Sequence, residues 1–215
     1  MNMSKVAILV TIHDGDDGSA GCLEECQRQV DAVASEGKYI FSIFLNDAGE
    51  KGYQAVCEKA SKEGADFFLW LDHDLVLNEG MLSCLLENSE FLRHKAVITG
   101  TVSRPDKSLL FGGRTRRGRL IEPDPTIPVP CHLFDLSIAL VPVFALSHLE
   151  SVSDLFRRGL LNYGYGMRLA DAGVARMVAP GVLASTGRAP QIPSWMDPES
   201  SMKNKIISFF RSLVK

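Results

Sequence analysis

Val6-Ala-Ile-Leu-Val10 is an unbroken apolar run, rich in β-branched residues and flanked by polar ones. A strand buried on both faces reads this way, because neither face turns toward water. Leu23, Cys26, Val30 and Val33 then recur at the spacing of one helix face, and Gly37 marks the stop. The alternation repeats. Tyr39 to Leu45 predicts a second buried strand ending at Asn46-Asp47. Tyr53, Val56, Cys57 and Ala60 predict a second helix ending near Gly64. Phe67-Phe-Leu-Trp-Leu71 predicts a third strand that runs into Asp72-His73-Asp74. Met81 to Leu86 follows as a third helix and Ala96 to Val102 as a fourth strand.

The second half is less regular. Leu109-Leu-Phe-Gly-Gly113 predicts a short strand closed by a paired-glycine turn. Residues 122–130 hold four prolines and predict an extended loop. Ile138 to Val141 is a further buried strand. Tyr165 to Ala172 reads as a helix stopped by Gly173, and Arg176 to Ala179 as a last short strand before Pro180-Gly181.

Strands alternating with helices imply an α/β fold: a mostly parallel sheet with helices on both faces. Such sheets take ligands at the carboxyl ends of their strands. The polar clusters fall at those ends: Thr11-Ile-His13-Asp14, Asn46-Asp47 and Asp72-His73-Asp74. An enzyme or a small-molecule binder is therefore expected.

Composition narrows the field. A length of 215 residues suits one domain, drawn here as 1–200, with 201–215 as an appendage. A net charge of only −3 argues against a nucleic-acid binder, which would need many cations against phosphates. Cys22, Cys26, Cys57, Cys84 and Cys131 are odd in number and contain no Cys-x-x-Cys, so buried reduced thiols of a cytoplasmic protein are expected. The amino terminus runs straight into a strand without a cleavage pattern, and no apolar run reaches the roughly 20 residues that span a bilayer. At the other end, Ile206, Phe209, Phe210 and Leu213 share one helical face flanked by Lys203, Lys205, Arg211 and Lys215. A basic amphipathic helix of this kind suits peripheral contact with a membrane, or docking on its own domain or on a twin subunit.

Asp72 and Asp74 carry the chemistry. Two carboxylates beyond a strand end can hold Mg²⁺ or Mn²⁺, which prefer hard oxygen ligands and share their shell with phosphates. If both face a ligand, His73 between them points the other way and is structural. Gly112-Gly113-Arg114 offers backbone N–H groups and a guanidinium to phosphates, or is an ordinary hairpin turn. Asp14-Gly-Asp-Asp-Gly18 lacks the spacing and closing glutamate of a calcium loop.

The stretch Asp66-Phe-Phe-Leu-Trp-Leu-Asp-His-Asp-Leu-Val-Leu77 resembles the strand and Asp-x-Asp turn of family 2 glycosyltransferases. Four further stretches agree in order: Val6 to His13, Leu45-Asn-Asp47, Leu110-Phe-Gly-Gly-Arg114, and Tyr165-Gly-Met-Arg168 with Val178-Ala-Pro-Gly181. Ser194-Trp-Met-Asp-Pro198 matches as well. The last stretches resemble a bacterial rhamnosyl- or galactosyltransferase-like subgroup. The resemblance implies a GT-A fold and transfer of a sugar from a nucleoside-diphosphate sugar to a glycan or lipid-linked acceptor. It implies that Thr11, His13, Asp47, Asp72, Gly113 and Arg114 line the nucleotide-sugar, and that Asp72 and Asp74 hold the metal. It also exposes a departure. The subgroup's general base aligns with Asn162, and a second usual aspartate with Gly164. A carboxamide accepts no proton at neutral pH. Asp135 is the candidate replacement near the acceptor, together with Asn162. A catalytically impaired relative that binds nucleotide-sugar or glycan, or partners an active transferase, is the alternative. A nucleotidyltransferase ranks behind both, because its loop after the first strand is usually glycine-rich and basic, whereas this one is acidic.

Overall fold

The computed structural model describes residues 3–12, 19–47, 50–147, 161–187 and 201. The expected fold class is observed: an α/β domain with a mostly parallel sheet. Its elements are β1 (Ser4–Ile12), α1 (Ser19–Ala34), β2 (Tyr39–Asp47), α2 (Glu50–Lys62), β3 (Phe67–Asp72), β4 (Val76–Leu77), α3 (Met81–Phe91), β5 (Ala96–Ser103), β6 (Leu109–Phe111), β7 (Gly113–Arg114), β8 (Val129–Pro130), β9 (Leu133–Phe134), β10 (Ile138–Pro142), α4 (Val143–Leu146), α5 (Leu161–Asp171) and β11 (Ala175–Ser185).

The main sheet runs β2-β1-β3-β10-β5-β11-β4, with β6 added to β5 and β8 to β11. Strands β2, β1, β3, β5 and β11 point the same way. β10 is inserted antiparallel between β3 and β5. Its amino end therefore lies beside the carboxyl ends of its neighbours, and the Asp72 N–H donates to the Ser137 carbonyl at 3.0 Å.

Period-two alternation divides the apolar strands between two cores. Val6, Ile8 and Val10 of β1 face Cys22, Cys26 and Val30 of α1 and Leu82 and Leu85 of α3. Ala7 and Leu9 face the other way, with Phe68, Trp70, Cys57 of α2 and Tyr165 of α5. Helices thus cover both faces, which is why these strands carry no polar alternation. Buried Gln29 ties two helices on one face: its Oε1 accepts the Leu82 N–H at 2.9 Å, and its Nε2 donates to the Asn78 carbonyl at 2.9 Å. That bond satisfies an amide in the first turn of α3, whose preceding residue Gly80 makes no side-chain cap.

Three expectations change. The proline-rich segment 122–130 is not wholly a loop, since Val129 and Pro130 pair with Val178 and Met177. Pro180-Gly181 does not end the last strand. Gly181 sits at φ 68 in an irregularity, and β11 continues beside β5 to Ser185. The apolar residues Val182 to Ala184 keep that continuation paired. Finally, Gly112 and Gly113 do not form one turn after a strand. Gly112 adopts φ 149, and Gly113–Arg114 starts a second small sheet with Leu133–Phe134. The four buried cysteines and half-buried Cys84 are free thiols, as expected. No helix among the described residues is long and apolar enough to cross a membrane. The amphipathic segment 202–215, the acidic loop after β1 and Ser194 to Pro198 lie outside the described residues.

Candidate functional site

The site assembles where the parallel strands end. Thr11 stands abreast of Asn46 on one side and Asp72 on the other, and Ile12 stands opposite Asp47. The turn after β3 is pinned by the Thr11 carbonyl, which accepts the His73 N–H at 3.1 Å and lies 2.7 Å from His73 Nδ1. A carbonyl only accepts, so Nδ1 carries the ring proton. His73 is 1% exposed, whereas Asp72 and Asp74 are half-buried at the rim. The imidazole is a structural anchor, and the two flanking carboxylates stay at the strand end.

Both carboxylates act on one neighbourhood. The Cys22 thiol of α1 donates to the Asp72 carbonyl at 3.6 Å. Its pKa is pushed up to about 12, first by burial, then by Cys26 and by the charges of Asp74 and Asp72. Asp74 is oriented from across the sheet: Thr186 Oγ1 donates to Asp74 Oδ2 at 3.2 Å. Thr186 itself is 2% exposed and held by its N–H to the Ser103 carbonyl at 3.0 Å. It reaches Asp74 only because β11 runs on past Gly181. Sequence reasoning missed it. The signal was the polar pair Ser185-Thr186 after an apolar run, the pattern that marked the other strand ends.

A third acid lies close by. Asp135 Oδ2 accepts the Gly112 N–H at 3.1 Å and the Arg114 Nε–H at 3.2 Å. Burial raises its pKa. Arg114 and the Gly112 amide oppose that shift, and the charge of Asp72 adds to it. Three carboxylates thus lie along one rim, and Arg114 pairs with one of them, Asp135.

The structure revises the expected part of the glycine turn. Arg114 does not extend toward phosphates. Its side chain is 11% exposed, and it donates to Asp135, to the Gly118 carbonyl at 3.1 Å and to the Leu110 carbonyl at 3.5 Å. The guanidinium ties the hairpin together from inside, as buried arginines do when carbonyls and a carboxylate surround them. Gly113 is a packing glycine. A Cβ there would lie 2.2 Å from Val178 Cγ2 and 2.9 Å from Cys131 Cβ. The Gly112 amide, the other supposed phosphate donor, is given to Asp135.

His13 lies outside the described residues. Asp47 closes β2 and Asn162 belongs to α5, but their side chains also fall outside the described residues. The helix that carries Asn162 packs on β9, where Gly166 approaches the His132 carbonyl so closely that a Cβ would sit 3.0 Å from it. The chain leaves β9 directly into Asp135, so that helix borders the same rim.

Among the described residues no group of three His, Cys, Asp or Glu side chains could hold a metal by itself. The donor set at Asp72 and Asp74 fits a hard divalent ion that completes its shell with phosphate oxygens and water. Mg²⁺ is usually bound in that manner. It does not fit a self-sufficient protein cage.

No protein-family model matches the chain, and no curated protein matches it in sequence. Among solved structures, A197 from STIV superposes with a TM-score of 0.47 at 11% identity, over 83% of this chain and 82% of that one. S. aureus TarS 1–349 superposes with a TM-score of 0.47 at 10% identity, over 85% of this chain and 60% of TarS 1–349. Likeness at this level carries no inference about what the site does.

Proposed function

We propose that the chain is a glycosyltransferase of the GT-A kind, moving a sugar from a nucleoside-diphosphate sugar to a hydroxyl of a glycan or lipid-linked acceptor. One observation carries the reading: Asp72 and Asp74 are held at the carboxyl end of a central strand, in one electrostatic neighbourhood, with a buried histidine and Thr186 fixing the turn between and beside them. Sheets of this architecture receive nucleotides there. The sequence resemblance to family 2 glycosyltransferases supports the same assignment.

In this reading Asp72 and Asp74 hold Mn²⁺ or Mg²⁺ against the diphosphate. When bound, the ion supplies Lewis-acid stabilisation of the departing nucleoside diphosphate. Thr186 and His73 are positioning residues for the carboxylates. Thr11, His13 and Asp47 line the nucleotide from the ends of β1 and β2. Asp135 and Arg114 hold the segment from Leu110 to Gly118 in place at the rim. The work proposed for the chain is binding, orientation and exclusion of water.

A second reading, binding without turnover, is favoured by two observations. Asn162 stands where the resembling subgroup has its base, and Asp135 already commits Oδ2 to Gly112 and Arg114. Release of nucleoside diphosphate from donor sugars separates the two. Slow metal-dependent release, lost in Asp74→Ala, supports the enzyme. Donor binding with no release, with or without candidate glycan acceptors, supports the binder.

A further inference from the structure

Strand β2 ends the sheet formed by the described residues. Among the described residues it pairs with β1 alone, and no backbone hydrogen bond runs from Tyr39–Leu45 to any other described element. Proteins usually blunt such an edge with lysine, proline, a bulge or a short strand. This one is nine residues long and reads Tyr39-Ile-Phe-Ser-Ile-Phe-Leu-Asn-Asp47, with no proline and no charge before its last residue. Ile40 is 41% exposed and Leu45 is 55% exposed, and Ser42 is exposed between them. On the α2 side the edge opens into a cleft of about 330 Å³ lined by Ile40, Ser42, Phe44, Ala60 and Ala65 among others.

The pattern of this edge identifies its occupant. Read outward from Ser42, the strand is apolar for three residues in both directions: Phe41 and Ile43, then Ile40 and Phe44, then Tyr39 and Leu45, before polar Lys38 and Asn46. A two-fold axis perpendicular to the sheet through Ser42 would set an antiparallel copy so that each residue faces its mirror position on the same side. Ile40 then meets Phe44, Tyr39 meets Leu45, and the two Ser42 side chains meet at the axis. Every exposed apolar residue of the edge gains an apolar partner. Moving the axis to Ile43 sets Ile40 against Asn46 and Tyr39 against Asp47. Moving it to Phe41 sets Lys38 against Phe44. Register in a sheet is fixed by such matching, because directly opposed side chains are the unit of stabilisation. In an isologous interface every such match occurs twice, once on each side of the axis, so this edge is complementary to a second copy of itself.

We infer that this chain forms a two-fold dimer through antiparallel pairing of β2 centred on Ser42. The two sheets become one. The sites at the carboxyl ends of β2 then open at opposite ends of the joined sheet.

Two variants of exposed Ser42 test this, with sedimentation velocity on the full chain as the readout. Wild type is expected to sediment as a dimer. Ser42→Lys opposes two like charges at the axis and raises the dissociation constant by about tenfold or more, while its circular dichroism stays that of a folded chain. Ser42→Cys gives a disulfide-linked dimer under mild oxidation, since directly opposed Cβ atoms lie within bridging reach. The wild-type thiols, four of them buried, do not crosslink under the same treatment. A wild-type monomer at all concentrations, a dimer indifferent to Ser42→Lys, or failure of Ser42→Cys to crosslink each overturns the proposal.

Discussion

Gly113→Ala is the substitution whose effect the structure fixes most tightly. The new Cβ would sit 2.2 Å from Val178 Cγ2, against an ordinary carbon–carbon contact of roughly 3.5–4.0 Å. More than 1 Å of movement, about 1.3 Å at the least, is needed. Neither neighbour is free to supply it. Val178 is fully buried and paired to both Thr99 of β5 and Val129 of β8. Cys131, 2.9 Å away on the other side, is fastened by its N–H to the Arg176 carbonyl at 2.9 Å. Overpacking of this kind costs about 1–3 kcal/mol when neighbours can adjust, and here we expect about 3 kcal/mol or more. For a chain of this size that lowers the melting temperature by about 6–12 °C. Gly21→Ala is the control. Gly21 lies in the first turn of α1 with nothing within 4 Å of its added Cβ, so the same chemical change there stabilises by about 0.5–1 kcal/mol. Urea titration with an unchanged slope measures both. A Gly113→Ala protein within about 0.5 kcal/mol of wild type would refute the packing role, and would return this glycine to the phosphate-cradling role expected from its sequence.

Two shorter predictions follow from the buried hydroxyl and the buried thiols. Thr186→Val removes the donor that orients Asp74, and lowers Mn²⁺ affinity in the presence of a nucleoside diphosphate roughly tenfold. Unchanged metal affinity by calorimetry would remove Thr186 from the site. Burial pushes Cys22, Cys57 and Cys131 up to about 12 and Cys26 up to about 11, each from an ordinary 9. Between those limits the folded chain keeps four protons that the unfolded chain has lost, so stability falls as pH rises, by about 5 kcal/mol per pH unit from these thiols together. Reversible denaturant titrations from pH 8.5 to 10.5 read this loss. Cys57→Ala is expected to reduce the slope by about a quarter, and a flat profile would contradict the burial of the thiols.

Much of the fold was legible because the strands are covered on both sides. Such burial forces continuous apolar runs like Val6–Val10 and Phe67–Leu71, and a glycine follows α1, α2 and α5 where the helical spacing stops. The elements that were not legible are held by pairing rather than by local pattern. β8 and β9 are two residues each, too short for any periodicity, and they exist because β11 and β7 offer hydrogen bonds. Pro180-Gly181 carries every local sign of a stop, yet β5 supplies a partner beyond it. At the site, the Asp72 and Asp74 rim was legible from its place after a strand. Thr186 was not, because 112 residues separate it from Asp74. The direction of Arg114 was equally hidden. The chain shows a guanidinium next to two glycines, but the Leu110 and Gly118 carbonyls and Asp135 converge on it only in three dimensions.

Isothermal titration of UDP-, GDP- and dTDP-sugars into the full chain, with and without Mn²⁺, reaches the central assignment most directly. We expect at least one donor to bind only when the ion is present, and that binding to vanish in Asp72→Asn and Asp74→Asn proteins that melt like wild type. Absence of binding by every donor, or binding that ignores both the ion and the two substitutions, would contradict the assignment of this rim to a nucleoside-diphosphate sugar.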